Sequence, residues 1–62
     1  MEQASTHIRL AIEGLLSAYA LANMNRANPN TEYRKSALEW FDKIERNIDD
    51  AKRNLNEENI ND

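Results

Sequence analysis

The chain reads as all-α: an antiparallel two-helix hairpin that assembles into a homo-oligomeric helical bundle, with a dimeric four-helix bundle as the expected form. Three observations predict this. Two long segments with helical apolar periodicity flank a single break rich in Asn that contains the only Pro. The second segment places Ala37, Phe41, Ile44, Ile48, Ala51 and Leu55 at 4-3-4-3-4 spacing, the seam pattern of packed helices. The first segment is apolar on most sides, which a single amphipathic neighbour does not cover.

Helix 1 is expected at about residues 5–24. Between Ile8 and Ala22 only Arg9 and Glu13 are charged. At 100° per residue, Ile8, Ile12, Leu15 and Tyr19 fall on one broad face and Leu10, Gly14, Ala18 and Leu21 on a second. Ser5 or Thr6 offers a hydroxyl to the free N–H groups at its start. Gly14 costs helix propensity of about 1 kcal/mol relative to Ala. With Ala11 and Ala18 it offers a place for another helix to come close.

The loop is expected at 25–30. Asn23, Asn25, Asn28, Pro29 and Asn30 form the only cluster of breakers in the chain. Asn28-Pro29 suits an N-cap followed by Pro at the first helical position. Asn30 or Thr31 serves equally, with Glu32 in the first turn favoured by the helix dipole.

Helix 2 is expected at about 31–56, and 57–62 as a frayed acidic tail. Its outer face carries the opposite-charge pairs Glu39–Lys43, Asp42–Arg46 and Asp49–Arg53 at i,i+4, each worth only about 0.2–0.5 kcal/mol. They describe a solvated face. Leu38 lies off the stripe. Rods of roughly 30–36 Å result, long enough to lie side by side as a hairpin. The expected intrachain seam sets Ile8, Ile12, Leu15 and Tyr19 against Phe41, Ile44, Ile48 and Leu55. The expected self-association face is Leu10, Gly14, Ala18 and Leu21, joined by Trp40.

Size and composition favour association. A chain of 62 residues is one small domain at most. Such scaffolds usually add disulfides, a metal or oligomerisation. There is no Cys and only one His, His7, so oligomerisation is the device left. His7 is read as facing solvent beside Ile8.

Charge narrows the partners. Eight Lys and Arg against eleven Asp and Glu give a net charge of −3. The chain as a whole is therefore no basic nucleic-acid binder. Residues 1–38 hold four bases and three acids, residues 39–62 four bases and eight acids, so +1 and −4 make up the total. The acids of the second half alternate with Lys43, Arg46, Lys52 and Arg53, as on a salt-bridged helix rather than an acidic tail. The apolar run is too short and too charged to span a bilayer, and no basic segment precedes it as in a secretory signal. A cytoplasmic protein without cofactor is expected.

Catalysis finds no motif: no nucleophile elbow, no His-Glu-x-x-His, no P-loop and no dinucleotide fingerprint. No catalytic, cofactor or metal-ligating residues are nominated. The one site-like cluster is the corner between the helices, with Asn23, Arg26, Asn28, Asn30, Tyr33, Arg34 and Lys35. It is basic within an acidic chain and sits by a helix N-terminus, where N–H groups favour anions. The functional expectation is a small non-enzymatic interaction protein, a regulator or inhibitor, that self-associates through helix 1 and binds a larger protein. The alternative is an oligomer that holds a small phosphorylated or nucleotide-like anion at this corner.

Overall fold

A computed structural model describes residues 3–60, with side chains to residue 57. Two helices, α1 (Ala4–Ala27) and α2 (Thr31–Ile60), pack against each other as a hairpin measuring 51 × 15 × 13 Å. α1 begins one residue before its expected start and runs three beyond its expected end. α2 continues to Ile60, so the backbone of the expected tail is helical from 57 to 60. Asn56 to Asn59 contain no Gly or Pro to stop it. Positions 61–62 lie outside the described residues.

α1 starts without a side-chain cap. Ser5 and Thr6 lie inside the helix rather than before it. Gln3 takes the N-cap position with extended backbone and makes no side-chain capping bond. Its carbonyl oxygen accepts from the N–H groups of Thr6 at 3.1 Å and His7 at 3.4 Å. The earlier start buries Ala4 in the seam.

The seam differs from the expected one by a single position. Along α1 the buried residues are Ala4, His7, Ala11, Gly14 and Ala18, followed by half-buried Leu21 and Asn25. Along α2 the line is Tyr33, Ala37, Trp40, Ile44, Asn47, Ala51 and Asn54, with Ile44 and Ala51 buried and the others half-buried. Both lines keep the 3-4 alternation of packed helices. Ile8, Ile12, Leu15 and Tyr19 each follow a seam residue by one and are exposed. Phe41, Ile48 and Leu55 are exposed for the same reason. Ile44 is the one member of the expected set that the hairpin buries, at 3% exposure.

Two physical features explain this choice. First, the small stripe of α1 receives the large residues of α2. An ideal Cβ built on Gly14 stands 2.8 Å from Ile44 Cγ1, inside ordinary van der Waals separation, and 3.5 Å from Trp40 Cε3, in ordinary contact. Gly14 is therefore a notch occupied by Ile44 and Trp40. Second, polar residues in the two lines meet each other. His7 is buried, not solvent-facing as expected. Its Nδ1 lies 3.4 Å from Asn47 Oδ1 and 4.0 Å from Asp50 Oδ2. Asn47 Nδ2 in turn donates to the Lys43 carbonyl at 3.1 Å. Turning both helices by one position to bury Ile12 and Ile48 instead would give up this match.

Among the described residues the buried apolar ones are Ala4, Ala11, Ala18, Ile44 and Ala51, and only Ile44 of these is large. One Ile and four Ala side chains supply little hydrophobic free energy, at about 25 cal/mol per Å² of apolar surface buried.

The Gly14 notch gives a prediction of sign. Gly14→Ala gains helix propensity of about 1 kcal/mol. Overpacking against Ile44 costs about 1–3 kcal/mol, so a net loss of stability is expected. In an Ile44→Ala background the clash is gone, and the same change should be neutral or stabilising. Urea unfolding of the four proteins, followed by circular dichroism, measures this coupling. Additive effects would rule out the contact as the cause.

Candidate interaction surface

One side of the hairpin carries a row of large exposed apolar residues, with Glu45 and Lys52 between them on α2. Ile8, Ile12, Leu15 and Tyr19 line it from α1, and Phe41, Ile48 and Leu55 from α2, where they recur every seven residues. Ile12, Leu15, Leu16 and Tyr19 join Ala37 and Phe41 in an open groove between the helices. Ile12 is 53% exposed and Tyr19 67%. The groove continues toward the corner past Ala22 and Ala37 to Leu21, Tyr33, Leu38 and Arg34. Scattered exposed apolar residues are ordinary, but a group of large ones gathered on one side marks a surface that meets something.

The residues expected to self-associate are divided by the structure. Gly14 and Ala18 lie inside the hairpin, filled by α2, and so offer no outer face. Trp40 is half-buried against the same notch. Leu10 is exposed and Leu21 half-buried. On the back of the hairpin Leu10 and Trp40 join Glu13, Ser17, Lys43 and Asn47 around a shallow, partly polar cleft. Lys43 Nζ stands 4.8 Å from the centre of the Trp40 ring, a cation–π contact rather than the expected pair with Glu39. The other expected helix-surface pairs are also rearranged. Arg53 bonds Asp50 at 2.7 Å, and Arg46 donates to the Asp42 backbone oxygen at 3.5 Å.

At the corner, side chains build the turn. Asn28 ends α1, its N–H donating to the Met24 carbonyl at 2.9 Å. Asn30 caps α2, its Oδ1 accepting from the Glu32 N–H at 2.8 Å. Asn25 Oδ1 accepts from the Asn30 N–H at 2.9 Å and from the Arg34 guanidinium at 3.3 Å. Arg34 also donates to Thr31 Oγ1 at 3.2 Å. Asn25, Asn30 and Arg34 thus bond one another across the turn. Asn23, Arg26 and Lys35 are exposed around it, and Tyr33 is half-buried in the seam.

Among the described residues no three His, Asp or Glu side chains gather where a metal ion could be held. No helix among them is long and apolar enough to cross a membrane. No protein-family model, curated protein or solved structure matches the chain.

The corner geometry ranks its residues. Asn30→Ala should cost about 1 kcal/mol by removing the α2 cap. Arg34→Ala should cost less, because it removes two exposed side-chain contacts and leaves the α2 cap in place. Thermal unfolding of the two variants under one set of conditions tests the order, and a larger loss at Arg34 would contradict it.

Proposed function

We propose that this chain is a small non-enzymatic interaction protein, of the regulator or inhibitor kind. It self-associates into a homo-oligomeric helical bundle and in that form meets a larger protein. The observation that carries this reading is the apolar stripe of Ile8, Ile12, Leu15, Tyr19, Phe41, Ile48 and Leu55, uncovered on a hairpin whose buried apolar side chains, among the described residues, are one Ile and four Ala. So thin a core supports a chain of this size poorly, and an occupant of the stripe adds the missing burial. The self-association surface is therefore moved from Leu10, Gly14, Ala18 and Leu21 to the neighbouring stripe on α1, joined by α2. The back of the hairpin, with Leu10, Trp40 and Lys43, remains accessible in such a bundle. This is the surface left for the larger protein.

Sedimentation and melting test the reading together. Wild-type protein at micromolar concentration should sediment above monomer mass. Its melting temperature should climb with protein concentration, as mass action requires of coupled folding and assembly. Ile12→Glu with Phe41→Glu should abolish assembly and lower helicity, while Leu10→Glu on the back should leave both. A fully helical monomer whose melting temperature is flat over a hundredfold dilution range would falsify the proposal.

A further inference from the structure

We infer that the occupant of the apolar stripe is one second copy of this chain, laid face to face with its loop at the opposite end. This inference rests on the self-association reading and adds the partner's number and direction.

Area is the first argument. The face of the hairpin that carries the stripe is at most 51 Å long and 15 Å wide, an outer bound of roughly 750 Å², of the order of the ~800 Å² per partner of a stable standard-size interface. A second hairpin of the same dimensions covers it from end to end. A two-fold axis makes the stripe its own complement and closes the assembly at two copies.

Charge sets the direction. At the loop end, residues 24–35 hold Arg26, Arg34 and Lys35 against Glu32, a net +2. Over residues 49–60, the far part of α2, four acids (Asp49, Asp50, Glu57, Glu58) oppose Lys52 and Arg53, a net −2. Loops at opposite ends place each basic corner over the acidic end of the other copy. Loops at the same end bring two basic corners together and two acidic ends together, which like-charge repulsion disfavours.

Shape agrees with charge. The two rings of the stripe, Tyr19 and Phe41, lie in the loop half, whereas the open half presents only aliphatic Ile8, Ile48 and Leu55. Reversing one copy sets the bulkier half against the slimmer one and keeps the separation even. α2 is also six residues longer than α1, at 30 against 24. Its extra turns project past the start of α1, toward the partner's corner in the reversed arrangement.

The chain has no Cys, so a single Ala27→Cys places one spin label at the exposed end of α1 beside the loop. Pulsed dipolar spectroscopy on the full chain then measures the distance between copies. The inference expects a distance on the order of the hairpin length, 51 Å. A single distance under about 25 Å, as for neighbouring helices in one bundle with loops together, would overturn it. Several distances with sedimentation above dimer mass would overturn it too. Sedimentation as a monomer with no dipolar signal would instead remove the self-association reading beneath it. As a second readout, Arg26→Glu with Lys35→Glu should weaken dimerisation about tenfold or more at low salt, with the difference shrinking at 1 M salt, where screening is short-ranged. No effect at either salt concentration would remove charge as the cause of the direction.

Discussion

The close approach at Gly14 governs the rest of the molecule. Only a residue without a Cβ lets Ile44 come this close to the backbone of α1, with Trp40 in contact beside it. That contact fixes the rotation of both helices about their axes. Once Gly14 faces α2, Ala4, Ala11 and Ala18 face it as well, because they share the 3-4 spacing. His7 is carried to Asn47 and Asp50 by the same rotation. The larger side chains at the next position along each helix are turned outward. The thin core and the exposed stripe are therefore two results of one packing choice.

Much of the hairpin was legible in the sequence. The Asn-rich break with Pro29 separates two periodic segments, and Asn30 was among the candidate caps for α2. The face assignment was not legible, for a physical reason. Summing apolar area favours burying Ile8, Ile12, Leu15 and Tyr19, but helices also select partners by shape. The usable signal was the regular run Ala4, His7, Ala11, Gly14, Ala18, in which the only Gly is the fourth member. A small-residue stripe opposite Trp40 and Ile44 fits closely, whereas two large stripes would hold the helices apart. His7 was misread because it was considered alone. Its burial depends on Asn47, forty residues away, and such long-range polar matches are invisible to local periodicity.

The corner shows why a cluster of chemically suggestive residues is weak evidence of a site. Asn and Arg side chains favour anions, but they also satisfy the free backbone groups that every helix end leaves. Here Asn25 and Asn30 accept from backbone N–H groups, and Arg34 is drawn into the same turn. The surface that asks for a partner is the apolar one, where each exposed Ile or Leu keeps ordered water that burial would release.

The buried and exposed stripes run one residue apart on both helices: Ala11 beside Ile12, Gly14 beside Leu15, Trp40 beside Phe41, Asn47 beside Ile48. This adjacency makes the chain far more sensitive to length than to spelling. Many substitutions on either stripe change volume and leave the helix facing the same way. A one-residue insertion or deletion inside a helix turns everything beyond it by about 100°. It would splice the inner stripe of one half onto the outer stripe of the other. Variants of this hairpin should therefore differ freely in side chains, tolerate whole heptads gained or lost at the open end, and exclude single-residue gaps within α1 and α2.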